Sequence, residues 1–176
     1  MSNSYDDVMA RRSDIMRRSL ALDYDSFQRG DLVFDYDALM SSTGYGLDAV
    51  ARIQAETKVG HTPLYELHRL TEAVRQIAGP GKGARILLKD EAVNASGSFK
   101  ARRASLSAHE AQVKGFAGMV TATSGNYGAA VASQAAQRGL ACIVIQEIYD
   151  SQHIGQPEIV EKSRACEAYG AEVIKL

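Results

Sequence analysis

Lys100 stands where a loop of small residues, Asn94-Ala95-Ser96-Gly97-Ser98, passes through Phe99 into a helical pattern. In the first turn of a helix a lysine meets the positive end of the dipole. That costs the ammonium about 0.3–1 kcal/mol and relatively favours a neutral, nucleophilic amine. Such amines form Schiff bases with carbonyl compounds. On this stretch alone, a solvated Lys100 carrying that small penalty is the simpler account. A second loop, Thr123-Ser124-Gly125-Asn126-Tyr127-Gly128, directly follows a short apolar run. Its glycines permit close backbone approach and the free amides of a helix start form an anion site, to which Thr123, Ser124 and Asn126 add hydrogen bonds. A carboxylate or a phosphate would fit. The other reading is a tight strand-to-helix turn with Ser124 as the N-cap.

The elements that must position these loops are readable from residue 61 onward, where short apolar runs alternate with helical patterns. Arg85 to Lys89, Met119 to Thr123, Leu140 to Gln146 and Ala171 to Leu176 read as buried strands. Phe99 to Lys114, Gly125 to Arg138 and Pro157 to Tyr169 read as helices. Gly115, Gly139 and Gly170 stand where a left-handed residue closes a helix, and Pro157 where a first-turn proline opens one. Helices of that length between strands imply right-handed crossovers, hence an α/β fold: a three-layer parallel sheet with flanking helices. In such a sheet ligands bind at the carboxyl ends of the strands, where both loops lie. Residues 1–60 read as a mostly helical segment preceding this α/β part at 61–176. Leu47, Val50 and Ile53 are spaced to form one apolar stripe, and the Asp-rich, aromatic stretch Leu22 to Met40 reads as short helices and turns.

Composition narrows the classes. The chain has 176 residues, 45% hydrophobic and 23% charged, which is globular and excludes disordered, collagen-like and coiled-coil chains. A net charge of −1 makes no electrostatic case for nucleic acid, and Asp6, Asp7 and Asp14 break up the basic residues Arg11, Arg12, Arg17 and Arg18. With no apolar run of about 18 residues and no signal-like N-terminus, no membrane association is expected and a cytoplasmic location is. Cys142 and Cys166 lack metal or redox spacing and read as reduced core thiols. His61, His68, His109 and His153 are dispersed, so no metal site is expected.

Taken together, Ser96-Gly97-Ser98-Phe99-Lys100-x-Arg102 and, about two dozen residues beyond the lysine, Thr123-Ser124-Gly125-Asn126-x-Gly128 resemble the fold type II pyridoxal-phosphate enzymes. His61-Thr62-Pro63-Leu64-Tyr65-Glu66-Leu67 is similar to that family's entry strand, so the likeness runs from about His61 to Leu176. The resemblance implies pyridoxal 5'-phosphate as cofactor. Lys100 would be the lysine that holds it and later moves protons, and Asn126 the hydrogen-bond partner of its 3′ oxygen, with Ser98 near the pyridine ring. Thr123, Ser124, Gly125 and Tyr127 would be the loop that grips a substrate carboxylate. Three further stretches, Tyr5 to Arg12, Leu22 to Phe27, and Gln146 to Ser151 leading into Gly155 to Glu158, narrow the likeness to the large subunits of coenzyme-A-dependent amino-acid thiolases. That implies an acyltransferase acting in amino-acid breakdown, with coenzyme A as co-substrate, a small α subunit as partner and a homo-oligomer of the large subunit. No residue is assigned to coenzyme A. An amino-acid lyase or β-replacement enzyme of the same family is the alternative, and a non-catalytic α/β binding module a third reading.

Two positions depart from the family pattern: Ala95 stands where proline is usual, and Ala101 where aspartate is usual. The first loosens the loop's preset backbone angle and the second removes a carboxylate that favours a helix start. The family's glycine-rich phosphate cup is not found in these residues. The sequence therefore reads as the N-terminal part of a longer enzyme, and on its own is expected to bind the cofactor poorly.

Overall fold

The computed structural model describes residues 4–30 and 33–176. It divides into two compact units, Met1–Ala49 and Val50–Leu176. The first unit holds the helices α1 (Tyr5–Ala10), α2 (Arg12–Leu20) and α3 (Tyr36–Ser42), and the short antiparallel strands β1 (Gln28–Arg29) and β2 (Val33–Phe34). Ser4 caps α1 by accepting from Asp7 N, and Asp35 caps α3 by accepting from Ala38 N at 2.9 Å. Phe34 gathers Tyr24 and Tyr36 at centroid distances of 4.6 and 4.9 Å, giving the aromatic stretch a small cluster of its own. Asp31 and Leu32, inside that stretch, lie outside the described residues.

Helix α4 (Leu47–Glu56) runs across the division. Its expected apolar stripe is realised only at the far end: Ile53 is buried and Leu47 is 89% exposed. Then follow β3 (Leu64–Glu66), α5 (His68–Ala78), β4 (Leu87–Lys89), α6 (Lys100–Val113), β5 (Gly118–Ala122), α7 (Asn126–Gln137), β6 (Ala141–Gln146), α8 (Pro157–Ala168) and β7 (Glu172–Lys175). The expected α/β architecture is present: β5, β6 and β7 form a parallel sheet in that order, joined by α7 and α8. Gly115, Gly139 and Gly170 all take the left-handed conformation that closes the preceding helices, and Pro157 opens α8.

One strand departs from the reading. The run at Arg85 to Lys89 supplies β4, which pairs antiparallel with β3 in a separate hairpin and is exposed at all three residues. Its leucines, Leu87 and Leu88, give an apolar run without a buried one. The core lies where α7 meets the sheet, with Ala129, Ala130, Val131, Ala132 and Ala135 against Cys142, Val144 and Cys166. Alanines on α6 and α7 let the two helices approach closely. Both cysteines are buried and free, as their apolar settings suggest. Among the described residues no group of three potential ligands could hold a metal, and no helix is long and apolar enough to cross a membrane.

Candidate active site

The loop into α6 is built by local hydrogen bonds. Asp90 caps a single 3-10 turn, Glu91–Val93, and Asn94 then leaves it in an extended conformation (φ −62°, ψ 149°). A β-turn over Asn94–Gly97 follows, closed by Gly97 N donating to Asn94 O at 2.7 Å, with Gly97 at φ +72°. The hydroxyl of Ser98 accepts from Lys100 N at 3.3 Å and serves one of the orphan amides at the start of α6. The Lys100 amine lies over the Phe99 ring, 5.0 Å from its centroid. Such contacts are worth about 0.5–1 kcal/mol at exposed sites.

A polar network to which sequence reasoning assigned no role anchors this loop. Arg102, two residues beyond Lys100, donates from Nε and Nη2 to the two carboxylate oxygens of Glu91 at 2.7 and 2.8 Å. Thr62 Oγ1 donates to the same carboxylate at 2.6 Å and Asn94 Nδ2 at 3.0 Å. Asn94 is buried, its Oδ1 accepting from Gly60 N at 3.1 Å, while Gln54 Oε1 accepts from Arg102 Nη1 at 3.3 Å. The Arg102 hydrogen bonds, helped by those of Thr62 and Asn94, hold the Glu91 carboxyl down to about 2. The available signal was the spacing Glu91-x-x-Asn94 with Arg102 just past the lysine, but neither charge advertises the other at that separation.

The second loop begins where β5 ends. Thr123 N donates to Ile145 O at 2.9 Å, and Thr123 Oγ1 accepts from Gly125 N at 3.1 Å. Gly125, at φ −156° and ψ −145°, is the N-cap of α7, so the cap is not Ser124. A side chain on Gly125 would meet nothing within 4 Å, whereas a Cβ on Gly128 would stand 2.4 Å from Thr123 Cγ2 and 2.9 Å from Val144 Cγ1. Gly128 thus lets α7 sit directly on the sheet while the loop above it stays open. Ser124 and Asn126 are exposed. The ring of Tyr127 packs against the core, with the Arg103 guanidinium 4.8 Å from its centroid.

Contacts between α6 and α7 bring the two loops to one edge. Arg103 meets Tyr127 near their starts, and Arg138 Nη1 donates to Gln112 Oε1 at 3.1 Å near their ends, so the helices run side by side in the same direction. Lys100 and Ser124–Asn126 therefore share one end of the helical pair, although no hydrogen bond joins Lys100 to Asn126 among the described residues. An open hollow of about 410 Å³ adjoins Ser124, lined also by Glu147, Tyr149 and Glu158. A larger one, about 820 Å³, lies between α5 and the Gly79–Gly83 loop and holds none of these residues.

Residues 55–176 match the family described as pyridoxal-phosphate dependent enzyme. The chain is 59% identical over 98% of its length to a 2-amino-4-ketopentanoate thiolase beta subunit from an unknown prokaryotic organism, covering 37% of that protein. To the protein of the same name from Acetoanaerobium sticklandii it is 56% identical, with the same coverage. The chain thus spans 37% of the length of these curated relatives. Among solved structures, cysteine synthase from Entamoeba histolytica superposes with a TM-score of 0.54 at 31% identity, over 68% of this chain and 33% of that one.

Proposed function

The chain belongs to the pyridoxal-phosphate dependent enzymes, and from that membership we propose that Lys100 holds the cofactor and that the protein works as the large subunit of a coenzyme-A-dependent thiolase. Its substrate would be 2-amino-4-oxopentanoate, cleaved to acetyl-CoA and alanine, with a small α subunit as partner and a homo-oligomer of this subunit. Supporting this are the identities of 59% and 56% to thiolase beta subunits, which cover 98% of the chain where cysteine synthase B of Escherichia coli covers 68%. The observation that carries the site is the shared edge: the α6 lysine and the open Ser124–Asn126 loop at one end of a parallel helix pair.

The residues suit the group. Lys100 supplies an amine for its aldehyde, Asn126 an exposed amide for its 3′ oxygen, and Ser96 Oγ is buried without a partner in the loop beside them. When bound, pyridoxal phosphate acts as an electron sink for negative charge beside the substrate's amino carbon. Thr123, Ser124, Gly125 and the Tyr127 backbone orient the substrate carboxylate with the amides opening α7. Ser98 orders the loop's end by accepting from Lys100 N and lies near the pyridine ring in this reading. Lys100 would also supply the amine that takes the proton from the substrate's amino carbon.

Borohydride reduction of the full-length protein with pyridoxal phosphate, followed by peptide mapping, tests this reading. Label on Lys100, together with acetyl-CoA formation that Lys100→Ala abolishes, is expected; label elsewhere sinks the assignment. A β-replacement or lyase activity is the second reading, favoured by 35% identity to cysteine synthase B of Escherichia coli over 68% of the chain. Release of pyruvate or ammonia independent of coenzyme A would select it.

A further inference from the structure

We propose that Tyr169 is a positioning residue for Lys100, its hydroxyl fixing the β-turn that leads into the lysine's helix. That turn is unevenly held. At its first residue, Asn94 is buried and bonded to Glu91 and Gly60, and Arg102 braces Glu91 from the far side of Lys100. The next residue, Ala95, is exposed and its methyl can make no hydrogen bond to anchor it. The group that reaches it is Tyr169 Oη, which donates to Ala95 O at 2.8 Å across 74 residues of sequence.

The place of Tyr169 gives this bond its significance. It stands at the C-terminal end of α8 with its ring packed against the core. Three residues earlier on the same helix end, Cys166 is fully buried, and its Sγ would lie 3.5 Å from a Cβ on Gly128 at the opening of α7. One helix end therefore touches both loops: the Lys100 loop through Tyr169, and the base of the Ser124–Asn126 loop through Cys166. A tie of that kind sets the spacing between an amine and the groups that orient its target. Displacements of about 1 Å in such a spacing are costly to catalysis.

The turn itself suggests a compensating change. Ala95 occupies the second position of the turn, where proline is favoured, and Asn94 before it already has the extended angles that proline imposes on its predecessor. The Ala95 N–H makes no hydrogen bond among the described residues, so proline would sacrifice none. Proline at 95 would stiffen the turn without help from α8.

The inference rests on the reading of Lys100 as the cofactor's lysine, and the test separates the two. In the full-length protein, Tyr169→Phe, Ala95→Pro and the double variant are compared by amide exchange over residues 94–99 without cofactor, and by pyridoxal-phosphate affinity. Tyr169→Phe is expected to speed exchange in that segment and to weaken cofactor binding roughly three- to tenfold, the range of a single hydrogen bond, with an unchanged melting temperature. Ala95→Pro in the same background is expected to restore both. Unchanged exchange in Tyr169→Phe overturns the tie, and faster exchange with unchanged affinity overturns the positioning role. Borohydride label on a lysine other than Lys100, by contrast, overturns the reading of Lys100 itself and is read independently of the exchange data.

Discussion

Arg102 grips both oxygens of Glu91, at 2.7 and 2.8 Å, from a position two residues past Lys100, while Glu91 holds Asn94 on the other side of the same loop. The pair closes the Lys100 loop into a ring of contacts in which a planar guanidinium matches a carboxylate fork to fork. The Glu91–Asn94 end of the loop is thereby fixed to the first turn of α6.

Glu91→Gln should cost about 1–3 kcal/mol at neutral pH, because it leaves Arg102 half-buried without its counter-charge. The carboxyl is held down to about 2 from an ordinary 4.5, so its contribution is complete above pH 4.5 and is lost as the pH falls toward 2. Urea midpoints of wild type and variant should therefore converge between those values. A gap as wide at pH 2 as at pH 7 would show that the pair does not supply the stability.

The two glycines of the second loop should behave oppositely. Gly128→Ala drives a methyl to within 2.4 Å of Thr123 Cγ2 and 2.9 Å of Val144 Cγ1, overpacking that costs about 1–3 kcal/mol. Gly125→Ala meets nothing within 4 Å and has a negative φ, so stability should change far less than in Gly128→Ala, by about 0.5 kcal/mol or less. Its effect belongs in KM for the substrate, since the methyl enters the open space above the loop. Thermal melts of both variants, with steady-state kinetics for the second, check the pair; equal destabilisation would contradict the cradle.

Asn126→Ala separates binding from folding. The side chain is exposed at the first position of α7, so its loss should leave the melting temperature unchanged. Cofactor affinity, measured by equilibrium dialysis, should fall about tenfold, the worth of one well-placed hydrogen bond. A drop in stability with unchanged affinity would make Asn126 a structural cap.

Why these features differ in legibility from sequence is a matter of range. The ends of α6, α7 and α8 were readable to within a residue or two because Gly115, Gly139, Gly170 and Pro157 act through their own backbone angles. The partner of β4 was not: Leu87 and Leu88 are apolar, but antiparallel pairing with Leu64–Glu66 is decided across an intervening helix. The same limit hid Glu91 and Arg102, which meet only because a 3-10 turn, a β-turn and a helix start fold them together. Tyr127 illustrates a finer limit. Its place in the motif suggests a ligand, but the motif does not foretell that its ring packs against the core with Arg103 beside it.

The buried thiols offer a probe of the layer beneath the site. Cys166 is fully buried and desolvation pushes its thiol up to about 11, with the neighbouring Cys142 adding to the shift; burial raises Cys142 as well. At pH 8 only roughly a thousandth of Cys166 would be thiolate even if reagent could reach it. Maleimide should therefore label neither cysteine at a measurable rate in native buffer, and both rapidly in urea. Because Cys166 abuts the start of α7 at Gly128, its labelling rate in intermediate urea should report the opening of α8 from α7. Gly128→Ala, which strains that contact, should make labelling of Cys166 measurable in native buffer. Rapid labelling of wild-type Cys166 without denaturant would mean that the α7–α8 layer opens freely and cannot hold the second loop in place.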